Sequence, residues 1–107
     1  MKNKIHELTF ENFPKQFEVP SVVLLSKKTC YLCKNLKPIY REISLDEKYK
    51  GAYVFYNVDI EKDPFIYKAF SADGVPSLYV AVDDDIIEVP YPSDEKSGYT
   101  KESIISF

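Results

Sequence analysis

Thr29-Cys30-Tyr31-Leu32-Cys33-Lys34 holds the only two cysteines of the chain, three positions apart. Sulfur at that spacing can attack a disulfide, close a small disulfide ring of its own, or ligate a soft metal. Its flanks indicate where the pair sits. Upstream, Val22-Val23-Leu24-Leu25 is a continuous apolar run that predicts a fully buried strand. Downstream, Leu36, Ile39, Tyr40 and Ile43 recur at helical spacing, so the pair falls where a strand gives way to a helix. A thiol in the first turn of a helix feels unpaired N–H groups and the positive end of the helix dipole, which favour thiolate over thiol. Lys27, Lys28 and Lys34 add positive charge nearby, and a second thiol one turn on can reach the first.

Three readings of the motif compete. A zinc site needs four ligands, and the chain offers no second cysteine pair and only His6 as a further soft ligand. A static structural disulfide closing so short a loop would remove little chain entropy and stabilise weakly. The reversible dithiol is the leading reading.

Length and composition set the frame. The 107 residues predict one domain, 1–107, large enough to bury a modest core. With 45% apolar and 29% charged residues, the chain is too hydrophobic for disorder. Its net charge of −3, with no basic cluster interleaved with aromatics, argues against a nucleic-acid partner. The charged opening Met1-Lys2-Asn3-Lys4-Ile5-His6-Glu7 is followed by no apolar stretch fit for a secretory signal or a membrane span. The expected location is therefore cytoplasmic, where thiols are kept reduced and a Cys-x-x-Cys pair is more often catalytic, sensing or metal-binding than structural.

The elements that must position the cysteines follow in order. Residues 5–10 alternate apolar with polar and predict a short first strand; His6 lies in it and is assigned no role. Phe13 and Phe17 suggest a short helix over 11–17 with Pro14 in its first turn, ended by Pro20-Ser21 before a strand over 22–26. The cysteine helix is expected to run to about Glu47, bent at Pro38. Residues 52–58 read as a central strand rich in aromatic and β-branched side chains. Asp63-Pro64 supplies an N-cap and a first-turn proline for a helix reaching about Ser71. Pro76 follows a turn and precedes the strand over 78–82, which makes Val75-Pro76 a candidate cis bond. Asp83-Asp84-Asp85 is read as a solvated hairpin tip leading to a strand over 86–89. A loop over 90–98 and a last helix capped by Thr100, with Ile104, Ile105 and Phe107, complete the chain. The order β-α-β-α-β-α-β-β-α implies an α/β fold, a mixed central β-sheet flanked by helices on both faces.

Cys30-Tyr31-Leu32-Cys33 after a buried strand, together with Val75-Pro76-Ser77 before the hairpin, resembles the thioredoxin superfamily. Lys34, Pro38, Asn57-Val58-Asp59, Gly98 and the opening stretch from His6 to Phe13 agree with that pattern, and the resemblance covers nearly the whole chain. It implies a thioredoxin-like fold in which Pro76 is cis and faces the dithiol. It further implies that the backbone at Val75 pairs with an extended substrate segment, that Cys30 is the exposed nucleophile, and that Cys33 is the buried resolving thiol. No bound cofactor is implied. The partners implied are disulfide-containing protein substrates and an electron donor such as a thioredoxin reductase.

Departures from the pattern matter too. Thr29 stands where thioredoxins proper have tryptophan, and Tyr31-Leu32 stands in place of Gly-Pro. Leu24 and Phe55 occupy the positions of the family's buried acid and its lysine neighbour, and nothing clearly matches the glutathione-binding charges of glutaredoxins. Tyr31 and Leu32 read either as an apolar lip around Cys30 that meets substrate or as a plain cover for the helix end. Two functions follow: a thiol–disulfide oxidoreductase reducing protein disulfides, or a thioredoxin-like binding or accessory module whose thiols are idle or bridge a metal between chains.

Overall fold

The computed structural model describes residues 5–9, 11–13, 17–72, 74–83, 85–90 and 104. The run Val22-Val23-Leu24-Leu25 is apolar throughout because its strand is covered on both faces. Odd and even side chains point to opposite sides of a sheet. Val23 and Leu25 enter one core with Leu8, Val58, Ile66 and Phe70. Val22 and Leu24 enter the other with Leu36, Tyr40, Ile43 and Phe55.

In chain order the elements are β1 (Ile5–Glu7), β2 (Phe17–Ser26), α1 (Tyr31–Leu45), α2 (Glu47–Lys50), β3 (Val54–Asp59), α3 (Pro64–Ala69), β4 (Ser77–Asp83) and β5 (Asp85–Glu88). The strands form one sheet in the order β1-β3-β2-β4-β5. β1, β3 and β2 run parallel, whereas β4 and β5 are antiparallel to their neighbours. The expected mixed sheet is present, with α1 packed on one face and α3 on the other. This is a thioredoxin-like fold.

Several boundaries differ from the sequence expectation. β2 begins at Phe17 and passes through Pro20 instead of starting after it. Its pairing with β4 steps from Phe17↔Asp83 to Ser21↔Ala81, four residues against two, so the bulge falls where Pro20 has no N–H to give the ladder. The cysteine helix stops at Leu45, short of Glu47. Asp46 turns extended there, and its carboxylate accepts from Lys48 N at 2.9 Å, capping α2 as a separate turn. α1 runs unbroken across Pro38, where the carbonyl of Lys34 loses its usual intrahelical donor.

Asp63 takes the N-cap position of α3 with Pro64 behind it, but its side chain makes no capping bond. At the other end of α3, Ser71 adopts φ 55°. There Ser71 N donates to Lys68 O and Ala72 N to Tyr67 O, the paired bonds of a Schellman ending that usually uses glycine. Thr9 and Asn12 exchange side chain-to-backbone bonds at 2.7 and 3.4 Å, as at a helix start. Pro14 of the expected first helix, Asp84 of the hairpin tip, the loop over 91–98 and Thr100, Ile105 and Phe107 lie outside the described residues. Ile104 is helical and packs on the α1-side core.

Tyr40 ties α1 to the sheet. Its hydroxyl lies 2.9 Å from Val22 O on β2 and 2.6 Å from Tyr56 O on β3, and its ring meets Phe55 edge-on at 5.6 Å. One O–H proton serves two carbonyls on adjacent strands. Burial pushes this phenol well above its ordinary value of 10.0, partly offset by the bond to Tyr56. The helix that carries the cysteines is thereby fixed in place across the sheet.

Candidate active site

The carboxyl end of β2 delivers the chain into a tight turn, closed by Cys30 N donating to Lys27 O at 3.2 Å. Cys30 is the N-cap of α1, with extended backbone at φ −85°, ψ 112°. N-caps ordinarily use a side-chain oxygen to satisfy an orphan N–H. Here sulfur takes that role: Cys33 N donates to Cys30 Sγ at 3.1 Å. A thiolate at this position would gain the same bond together with the helix dipole.

The two cysteines form a disulfide with their Cα atoms 5.1 Å apart. They are not equivalent. Cys33 is fully buried, while Cys30 is half-exposed beside Tyr31, which is 67% exposed. Leu32 is half-buried.

The loop before β4 meets this pair from the opposite side. Val75-Pro76 is a cis bond, as the sequence led one to expect. Cys30 Sγ lies 3.9 Å from Val75 O, across 45 positions of sequence. Pro76 is buried and Val75 half-buried, and Ser77 Oγ donates to Gly74 O at 2.5 Å, holding the turn shut. The cysteine pair and the Val75-Pro76 turn thus meet through Cys30 and Val75, with Tyr31 and Leu32 in the first turn of α1.

Leu24 is fully buried and Phe55 is 1% exposed, both in the α1-side core. The buried polar residues among those described are all serines, so no carboxylate stands ready in the core beside Cys33. Among the described residues, no three His, Cys, Asp or Glu side chains gather as a metal site, and no helix is long and apolar enough to cross a membrane.

One feature escaped the sequence reading. A polar crevice of about 220 Å³ opens at the carboxyl ends of β1, β2 and β3, lined by Ser26, Lys27, Lys28, Lys37, Asn57 and Lys62 among others. Its residues come from segments far apart in sequence. The signal in the sequence was slight: Ser26 and Asn57, polar residues at or next to the ends of two expected strands.

The family model described as thioredoxin matches residues 3–107. A thioredoxin of Borreliella burgdorferi is 32% identical over 65 residues, covering 60% of this chain and 54% of that protein. Thioredoxin C-3 of Corynebacterium nephridii is 27% identical over 75 residues, covering 70% and 50%. The chain thus spans about half the length of the curated relatives it matches. Among solved structures, the thioredoxin of Malassezia sympodialis superposes with a TM-score of 0.78 at 14% identity, over 98% of this chain and 88% of that one.

Proposed function

The chain belongs to the thioredoxin family, and from that premise we propose that it is a thiol–disulfide oxidoreductase that reduces protein disulfides through Cys30 and Cys33. The observation that carries the reading is the asymmetry of the pair. One sulfur is half-exposed at a helix N-cap, and the other is fully buried one turn behind it.

In the reduced protein, the Cys30 thiolate attacks one sulfur of a target disulfide. The target S–S bond breaks, its other sulfur leaves as a thiolate and takes a proton, and a Cys30–target mixed disulfide forms. Cys33 then loses its proton and attacks Cys30 Sγ. The Cys30–Cys33 bond forms, and the second target sulfur departs. Two electrons have passed from the protein to the target; the target gains the proton that Cys33 gives up and a second one from solvent, which took up the Cys30 proton when that thiol ionised. The Cys30–Cys33 disulfide is the product of this half-cycle. A dithiol donor, such as a thioredoxin reductase, would return the two electrons.

Tyr31, Leu32, Val75 and Pro76 are the substrate-binding residues of this proposal. The Val75 backbone would pair with an extended target segment, which sets the target sulfur beside Cys30. Purified protein should reduce insulin disulfides with dithiothreitol. Cys30→Ser should abolish that activity, and Cys33→Ser should accumulate mixed disulfides. Undiminished turnover by Cys30→Ser would exclude the mechanism.

A second reading, a binding module with idle thiols, draws on Leu24 and Phe55. Both fill with hydrocarbon the places where the family keeps a proton relay. Titrating the Cys30 thiol separates the two readings: ionisation near the unperturbed ~8.5 favours the module, and a lower value favours the enzyme.

A further inference from the structure

The polar crevice at the carboxyl ends of β1, β2 and β3 occupies a particular place in the topology. β2 and β3 are parallel neighbours, yet β2 continues into α1 on one face of the sheet and β3 into α3 on the other. Where connections from adjacent strands diverge in this way, a cleft opens outside their carboxyl ends, a common position for ligands in α/β sheets.

The floor of this cleft is fixed by a chain of hydrogen bonds across all three parallel strands. Ser26 Oγ donates to Asn57 Oδ1 at 2.9 Å, and Asn57 Nδ2 donates to Glu7 Oε1 at 3.0 Å. Ser26 is only 2% exposed, so the floor is anchored in the core. The walls carry four lysines from three segments: Lys27 and Lys28 before the thiol turn, Lys37 on α1 and Lys62 after β3.

Three carboxylates, Glu7, Asp59 and Asp63, also line it, leaving a local excess of positive charge in a chain whose net charge is −3. The Glu7 and Asp59 carboxylates are hydrogen-bonded within the fold. Glu7 accepts from Asn57, and Asp59 Oδ1 accepts from Glu61 N at 3.0 Å. Lys28, Lys37 and Lys62 are exposed.

Lys27 and Lys28 lie three and two positions before Cys30, and Lys27 O accepts from Cys30 N, so the crevice is continuous with the turn that presents the reactive sulfur. We propose that the crevice is a specificity subsite for acidic side chains flanking a target disulfide, so that the preferred substrates are proteins whose reducible disulfide lies within an Asp/Glu-rich stretch. This rests on the redox reading above and names its substrate class. Lysines on the rim of a cleft act chiefly on encounter and orientation, so the preference is a rate effect that salt weakens.

The test uses the full reduced chain and two synthetic peptides with one internal disulfide, identical except that four flanking residues are Glu in one and Gln in the other. The rate of protein oxidation by each peptide is followed by stopped flow. At low ionic strength the wild type should react about threefold to tenfold faster with the Glu peptide. Half-molar salt should erase most of that difference. The double variant Lys37→Gln/Lys62→Gln should lose the preference while keeping its rate with the Gln peptide. Equal rates for the two peptides with wild-type protein, or a preference that survives in the double variant or in high salt, would overturn the subsite and leave the redox reading standing. Failure to react with either peptide would overturn the redox reading and the subsite with it.

Discussion

Removing the Tyr40 hydroxyl should weaken the fold at neutral pH and strengthen it in strong alkali. Tyr40→Phe keeps the ring and its edge-on packing with Phe55, so the change isolates the O–H shared by Val22 O and Tyr56 O. A buried hydrogen bond contributes about 0.5–1.5 kcal/mol net, and only one proton is available, so the expected loss is about 1 kcal/mol. For 107 residues at about 2.1 cal/mol/K each, that corresponds to a Tm lower by about 4 °C.

The pH dependence carries the sign. Burial holds the folded phenol above 10.0, so above that pH the unfolded chain releases a proton that the native state keeps. The unfolded state then binds fewer protons, and stability falls as pH rises. This contribution is fully present below pH 10 and is lost at up to about 1.4 kcal/mol per pH unit until the folded phenol itself ionises. The advantage of wild type over Tyr40→Phe should vanish near pH 11 and reverse above it. All other side chains are common to the two proteins, so the difference between them reports on Tyr40. Urea unfolding of both proteins at intervals from pH 7 to 11.5 measures the effect. Equal stability at pH 7, or a difference that stays constant through pH 11, would refute the assignment of a neutral, bonded Tyr40.

Three further outcomes are expected. Ser71→Gly should raise stability by about 0.5–1 kcal/mol in thermal unfolding, because φ 55° strains any side chain and glycine relieves it at a smaller entropic cost. Asp46→Ala should lower it by about 0.5–2 kcal/mol in urea unfolding by removing the cap on Lys48 N. With no carboxylate buried among the described residues, resolution of a preformed Cys30 mixed disulfide by Cys33 should quicken about tenfold per pH unit between pH 6 and 8, followed by rapid quench. A flat profile would point to an internal base.

Much of the fold was legible because local and global signals agreed. The apolar run at Val22–Leu25 marked a strand covered on both sides, and Leu36, Tyr40 and Ile43 marked the face of α1 that meets it. The cysteine pair and the Val75-Pro76 turn were each visible, yet their meeting at one end of the paired strands β2 and β4 is a tertiary fact. Local rules misplaced boundaries where a single side chain competed with the backbone. Asp46 traded helix continuation for a cap, and Pro20 was absorbed by a bulge instead of ending a strand. The lysine crevice was illegible because Lys27, Lys37 and Lys62 acquire a common meaning only once three parallel strands align their ends.

The division of labour between the sulfurs is most directly tested by brief alkylation of the fully reduced protein with iodoacetamide at pH 7, followed by peptide mass mapping. A half-exposed sulfur at the helix N-cap predicts a single early adduct on Cys30, with Cys33 modified only after unfolding. Adducts that appear first, or equally fast, on Cys33 would contradict it.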